Sequence, residues 1–126
     1  VDSEFDIEGV GQLPRVDIAT TYAGADGLVI RALAQAGVDG IVAAGLGSGG
    51  SPPPFMAAMK EVSDAGLPVV IATPTGSGRV MQTRRFTEDG YIVADHLTPK
   101  KARILLMLAL TVTKEPAEIQ RMMLTY

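Results

Sequence analysis

Residues 40–72 read GIVAAGLGSGGSPPPFMAAMKEVSDAGLPVVIA, and the order of residue types in them decides the fold. An apolar run, Gly40-Ile41-Val42-Ala43-Ala44, gives way to a glycine-rich loop, a helical stretch, a glycine stop and a second apolar run, Pro68-Val69-Val70-Ile71-Ala72. Short, largely β-branched runs of this kind are what strands covered on both faces require. The stretch between them places Ser51 as N-cap and Pro52 at the first helical position. It carries an apolar stripe of Phe55, Met56, Met59 and Val62 and stops at Gly66. Strand, helix, strand at this spacing is a βαβ unit, whose parallel strands are joined by a right-handed crossover.

The pattern extends in both directions. Upstream, Val16-Asp17-Ile18-Ala19-Thr20-Thr21 reads as a strand. A helix follows with Asp26 as N-cap, apolar residues at Leu28, Val29, Ile30 and Leu33, and a stop at Gly37. Downstream, Tyr91-Ile92-Val93-Ala94 reads as a fourth strand, reached through PTGSGRVMQTRRFTED (residues 74–89), which shows no helical period. A loop of that length in a compact domain is more often functional than idle. Thr98-Pro99 then opens a long helix from Lys100 to about Thr113, and a short helix starts at Glu115-Pro116. The expected fold is α/β. It is a three-layer sandwich, flavodoxin/Rossmann-like, with a mainly parallel sheet of about four strands and C-terminal helices.

In ARILLMLALTV (residues 102–112) only Arg103 and Thr111 are not apolar, so the helix must be covered on more than one side. One sheet covers one side; another domain or subunit is expected on part of the rest. The domain itself is expected over 16–126, with residues 1–15 an interdomain linker or arm.

Composition narrows the function. The chain has 126 residues, a net charge of −3, 47% hydrophobic residues and no cysteine, which excludes a disulfide scaffold and general disorder. Four acids (Asp2, Glu4, Asp6, Glu8) and Arg15 fall in residues 1–15, leaving ten acids and ten bases beyond them. A neutral body has no basic face for nucleic acid. The longest apolar run, ILLMLAL at 104–110, is far short of the roughly 20 residues of a membrane span. The chain begins at Val1 without an initiator Met, so it is expected to be a piece of a longer protein.

The motifs are meagre in chemistry. Gly45-Leu46-Gly47-Ser48-Gly49-Gly50 fits the dinucleotide pattern G-x-G-x-x-G between strand and helix. However, the next strand ends in Thr73 rather than an acid for a ribose, and Pro52, Pro53 and Pro54 remove amide donors where a pyrophosphate would dock. A tight turn is the plainer reading; a free-standing nucleotide-binding or interaction module is the alternative function. With one histidine, no cysteine and neither Ser48 nor Ser77 in G-x-S-x-G, no nucleophilic triad can be assembled. The alternating acids of residues 2–8 lack the closing glutamate of a calcium loop, since Leu13 stands there, and no metal ligand set or cofactor is expected. His96 reads as a capping or surface residue. Lys100, Lys101 and Arg103 oppose the dipole of the helix they open; they form a solvated face or meet an anion or acidic partner. Position alone draws attention to the loops beyond the carboxyl ends of the strands, where open parallel sheets bind ligands.

Several stretches resemble the C-terminal domain of bacterial L-asparaginases: Leu13-Pro14-Arg15-Val16-Asp17-Ile18, Tyr22-Ala23-Gly24-Ala25-Asp26, Asp39-Gly40-Ile41-Val42-Ala43-Ala44-Gly45-Leu46-Gly47-Ser48-Gly49 and Gly76-Ser77-Gly78-Arg79-Val80. The most specific is LTPKKARILLMLALT at 97–111. The resemblance implies a two-domain amidohydrolase that converts asparagine, and sometimes glutamine, to the acid and ammonia. Its threonine nucleophile lies in an N-terminal catalytic domain. No T-G-G-T or T-D-G motif occurs here, so no catalytic residue is assigned to this chain and, alone, it is expected to be inactive. The resemblance also implies partners: that catalytic domain, and copies of the protein in a homodimer that pairs into a tetramer. This domain would help bind the amino group of a small amino-acid amide in a neighbour's site, through Gly24 and Glu88. Gly24 has no side chain, so its contact runs through backbone or water, and Pro74 stands where many relatives carry arginine. Cytoplasm and periplasm both suit such a protein.

Overall fold

In the computed structural model the described residues are 13–20, 26–44, 53–72, 90–94 and 97–125. Among these residues four strands form one parallel sheet: β1 (Val16–Thr20), β2 (Gly40–Ala44), β3 (Val69–Ala72) and β4 (Ile92–Val93), in the order β1-β2-β3-β4. Four helices among the described residues accompany them: α1 (Leu28–Gln35), α2 (Pro53–Asp64), α3 (Pro99–Ala109) and α4 (Pro116–Thr125). The expected α/β sandwich is therefore present.

Its layering follows from the two-residue period of strands. Ile41 and Ala43 of β2, Val69 and Ile71 of β3, and Val93 of β4 point to the side that holds Ile30 of α1 and Phe55, Ala58, Met59 and Val62 of α2. Their alternates, Val42, Val70, Ala72 and Ile92, pack with Ala102, Leu105, Leu106 and Ala109 of α3 and Ile119, Met122 and Met123 of α4. Every residue of β2 and β3 is buried, as two covered faces demand.

Both helices of the first layer end on glycine. Gly37 (φ +84°) donates its N–H to the Ala34 carbonyl while Val38 donates to Leu33; Gly66 (φ +101°) donates to Ser63 while Leu67 donates to Val62. These paired bonds are a Schellman closure, and the left-handed residue turns the chain straight into the next strand. Gly40 has a different reason: a Cβ there would lie 2.9 Å from Leu106 Cδ2 and 3.2 Å from Leu110 Cδ1. Its absence lets α3 settle on β2.

Three expectations change. The cap position of α1 is Gly27 rather than Asp26, although the Asp26 carboxylate still accepts the Leu28 N–H at 3.0 Å. With the helix beginning at Leu28, Ile30 is buried and Leu33 and Ala34 pack beside it, while Leu28 (71%) and Val29 (48%) face outward. Those two lie about 100–200° round the helix from Ile30, so one face cannot hold all of them. The long helix also stops at Ala109, a turn before Thr113. The Thr111 hydroxyl donates to the Leu108 carbonyl at 2.6 Å, and the chain leaves in tighter turns through Thr111, Val112 and Thr113. The expected Ser51 cap lies outside the described residues.

Side chains from α3 and α4 also finish the sheet's two edges. Arg103 Nε donates to the Val16 carbonyl of β1 at 2.6 Å. Gln120 closes both backbone groups of Val93 on β4: its Oε1 accepts the N–H at 2.8 Å and its Nε2 donates to the carbonyl at 2.9 Å.

Candidate functional site

The register Thr20↔Ala44↔Ala72 brings three strands to their carboxyl ends side by side. Two flanking structures on this rim are described. On the α1 side, Asp26 organises the first turn through its bond to Leu28. Gly27 permits close packing there, since a Cβ on it would fall 2.5 Å from that of Ala58 in α2. On the α3 side, Thr98 (φ −69°, ψ 162°) caps the helix, its hydroxyl accepting the Lys101 N–H at 3.4 Å, with Pro99 at the first helical position. The Thr98-Pro99 signal in the sequence is thus a true helix start.

Between β1, β2 and the cap of α3 lies a cleft of about 420 Å³ lined by Ile18, Thr20, Ala44, Thr98, Pro99 and Lys100. Its chemistry is sparse. The Thr98 hydroxyl serves the helix, leaving the exposed Thr20 hydroxyl and the Lys100 ammonium as polar groups. A hydroxyl beside an ammonium can orient an anionic group but cannot be made a nucleophile without a base at hydrogen-bond distance. Among the described residues, no group of three or more His, Asp or Glu side chains is placed to hold a metal ion, and no buried side-chain nitrogen or oxygen lacks a partner. No described helix is long and apolar enough to cross a membrane.

The basic trio at the start of α3 divides. Lys100 and Lys101 are exposed, whereas Arg103 is half-buried and committed to Val16. Arg103 is therefore a structural brace between α3 and β1. No local pattern pairs residues 87 positions apart, and none shows that Gln120, on a helix of ordinary amphipathic pattern, serves a strand 27 positions away.

Gly24 and Glu88 both lie outside the described residues, as do the glycine loop at 45–50, Ser77 and His96. Their described neighbours are informative. The segment holding Gly24 joins Thr20, at the carboxyl end of β1, to Asp26 before α1. Glu88 is two positions before Gly90 (φ +85°), where the chain turns toward the amino end of β4; a Cβ on Gly90 would lie 3.6 Å from the Ser63 hydroxyl near the end of α2. The segment holding Glu88 is thus anchored at Ala72, on the same rim as Thr20, and at Gly90, toward the other end of the sheet.

Comparison with known proteins agrees with this architecture. Residues 15–123 match the family model of the Glutaminase/Asparaginase C-terminal domain. The chain is 38% identical over its whole length to a glutaminase-asparaginase of Pseudomonas fluorescens biotype A, and 36% identical over 99% of its length to L-asparaginase 2 of Escherichia coli strain K12. It spans 36% of the length of each of these relatives. The crystal structure of a probable cytoplasmic L-asparaginase from Campylobacter jejuni superposes with a TM-score of 0.92 at 39% identity, covering 98% of this chain and 40% of that one. With a family match running from the residue before β1 almost to the end of α4, and a solved relative sharing the whole arrangement, the chain belongs to the glutaminase/asparaginase C-terminal domain family.

Proposed function

We propose that this domain works as the C-terminal part of an L-asparaginase-type amidohydrolase, which hydrolyses asparagine to aspartate and ammonia. The observation that carries the reading is the family match over residues 15–123, joined to the 0.92 TM-score with a solved L-asparaginase. Bond cleavage belongs to a catalytic domain bearing a threonine nucleophile, for which the described residues here offer no substitute. This domain's part is assembly and completion of the substrate site, with Gly24 acting through its backbone and Glu88 through its carboxylate on the substrate's ammonium. A carboxylate in that position supplies a charge-assisted contact and selects amino-acid amides without taking part in bond breaking.

The protein is also proposed to act as a homodimer that pairs into a tetramer. In support, the domain presents large apolar side chains to its surroundings: Leu28 and Val29 at the start of α1, Ile104 (55% exposed) on α3 and Val112 (53%) just beyond it. Exposed large apolar side chains such as these are what a partner surface covers.

Two measurements test the reading. Purified alone, the chain is expected to release no ammonia from asparagine; release above a no-enzyme blank counts decisively against it. In the full-length enzyme, Glu88→Gln is expected to raise KM for asparagine by about ten- to a hundredfold with kcat little changed, the worth of one charge-assisted bond. An unchanged KM removes Glu88 from the site and leaves the family assignment standing.

A further inference from the structure

The two outer edges of the sheet are finished unequally. On β4, Gln120 answers both the N–H and the carbonyl of Val93, so that edge offers no free ladder group there. On β1 the free groups follow from the phase of the ladder, since a strand in a parallel sheet presents alternate peptide groups to alternate sides. Gly40 donates its N–H to the Arg15 carbonyl, and Ile41 donates to the Pro68 carbonyl on the β3 side. Arg15, Asp17 and Ala19 therefore bond toward β2, and the N–H and carbonyl groups of Val16, Ile18 and Thr20 point outward. Arg103 takes the Val16 carbonyl. Among the described residues, no group bonds to the outward N–H and carbonyl of Ile18 or to the Thr20 N–H.

A groove runs along this open stretch. The cleft of about 420 Å³ at the carboxyl-end rim continues into a second of about 510 Å³, lined by Asp17, Ile18, Lys100, Arg103 and Ile104; Ile18 and Lys100 belong to both. Ile18 packs with the cluster under α3 and α4, so Thr20, two residues on, faces the same side. On α3, Lys100 and Ile104 are four residues apart and stand on one stripe of the helix. Ile104 is 55% exposed, and Lys100 has no ion-pair partner among the described residues. The groove thus joins three things: outward backbone groups, an aliphatic patch of Ile18 with Ile104, and a cation beside the Thr20 hydroxyl. An open ladder of this kind is completed by an added strand.

We propose that the β1 edge receives an extended segment of the catalytic domain as a fifth strand, one that carries an aliphatic side chain and a carboxylate two residues apart. Side chains on one face of a strand recur every second residue, so the added strand would set one beside Ile18 and Ile104 and the next beside Thr20 and Lys100. The first position takes an aliphatic group and the second a carboxylate, which the ammonium holds by a charge-assisted bond. This rests on the reading above, in which a catalytic domain belongs to the same protein. The chain spans 36% of the length of two relatives, and the groove opens on the carboxyl-end rim, where that domain's site would be completed. A second copy fits less well. Two β1 edges paired antiparallel about Ile18 would bring the Thr20 N–H of one to the Val16 carbonyl of the other, and Arg103 already holds that carbonyl.

The test is hydrogen exchange of single amides, resolved by fragmentation mass spectrometry, in the 126-residue chain and in the full-length enzyme. In the chain alone the Ile18 and Thr20 amides are expected to exchange fast, and those of Asp17 and Ala19, bonded to β2, slowly. In the full-length enzyme Ile18 and Thr20 should slow by about a hundredfold or more while Asp17 and Ala19 stay slow. Lys100→Glu in the full-length enzyme sets two carboxylates together and should lower the Ile18 protection about tenfold, with Asp17 and Ala19 reporting that the sheet is intact. Should the chain alone fail to hold its sheet, seen as fast exchange at Asp17 and Ala19, the Lys100→Glu comparison within the full-length enzyme decides. Three results overturn the proposal: an Ile18 amide that is fast in the full-length enzyme, protection that Lys100→Glu leaves unchanged, or protection in the chain alone. Protection in the chain alone that rises with concentration would make a second copy the occupant. The two readings fail separately: an enzyme that hydrolyses asparagine with a freely exchanging Ile18 discards the added strand, whereas a protected Ile18 in a full-length protein without that activity discards the proposed function.

Discussion

The two ends of this sheet are built on different principles. At the amino-end rim the chain closes each helix-to-strand connection with local chemistry. Gly37 and Gly66 end α1 and α2 in the same left-handed turn, and strands β2 and β3 begin within three residues of them. There Asp39 locks the rim across the sheet: its carboxylate accepts the Arg15 N–H at 2.8 Å, and its own N–H donates to the Arg15 carbonyl at 2.7 Å. The connections that leave the carboxyl ends of the strands are longer in sequence, spanning residues 21–27, 45–52 and 73–91, and are rich in Gly, Ser, Thr and charged residues. A turn that satisfies its own backbone needs particular residues for geometry and leaves few side chains over. A long polar connection can place side chains toward a ligand or a partner. Under the function proposed above, recognition through the Gly24 segment belongs to the carboxyl-end rim, so substitutions at the amino-end rim should change stability and leave substrate binding unchanged.

The largest effect is expected where α3 meets β2. Leu106 is fully buried and lies over Gly40, the first residue of β2. Leu106→Ala should cost about 2–5 kcal/mol, the transfer energy plus the cavity it leaves. Urea unfolding is expected to show a lowered midpoint with an unchanged m-value. A cost below about 1 kcal/mol would mean that α3 re-seats freely on the sheet, and the rigid amino end would be lost from the comparison.

The glycine closures come next. At neither Gly37 nor Gly66 would an added Cβ meet any atom within 4 Å, so the cost of an alanine there is that of its left-handed backbone alone. Gly37→Ala and Gly66→Ala should each destabilise by about 1–2 kcal/mol, and the double variant by their sum. In the full-length enzyme, KM for asparagine should stay within twofold of the parent. A KM that follows the loss in stability would show the two rims to be coupled.

Much of this division can be read before any coordinates. Helix stops at Gly37 and Gly66, the Thr98-Pro99 start and the four apolar runs are local signals, each decided within a few residues. What escapes is decided at a distance. Leu28 and Val29 are exposed because they stand about 100–200° round α1 from the buried Ile30, a division that a run of three apolar residues does not show. Thr111, whose hydroxyl turns back to the Leu108 carbonyl, ends α3 within a sequence that stays apolar to Val112. The edge clamps of Arg103 and Gln120 pair residues that no spacing rule connects. The candidate site is less legible still. Gly24 and Glu88 come from resemblance to a family, since a glycine and one acid in polar loops carry no chemistry that composition or periodicity can distinguish.

The smallest effect probes the carboxyl-end rim from its described side. Thr98 caps α3 and lines the cleft with Thr20 and Lys100. Its bond to the Lys101 N–H is long, 3.4 Å, and Lys101 itself is exposed. Thr98→Ala should therefore fall at the low end of N-cap losses, about 0.5 kcal/mol, with Pro99 still holding the first turn in helical geometry. Thr98→Ser, which keeps the hydroxyl, should restore that stability. A loss of about 2 kcal/mol or more for the alanine variant, the upper end of measured cap losses, would show that the cap, like the glycine closures at the other end, carries the fold. The carboxyl-end rim would then be as tightly built as its opposite, and the separation of stability from recognition would fail at the point where the two are nearest.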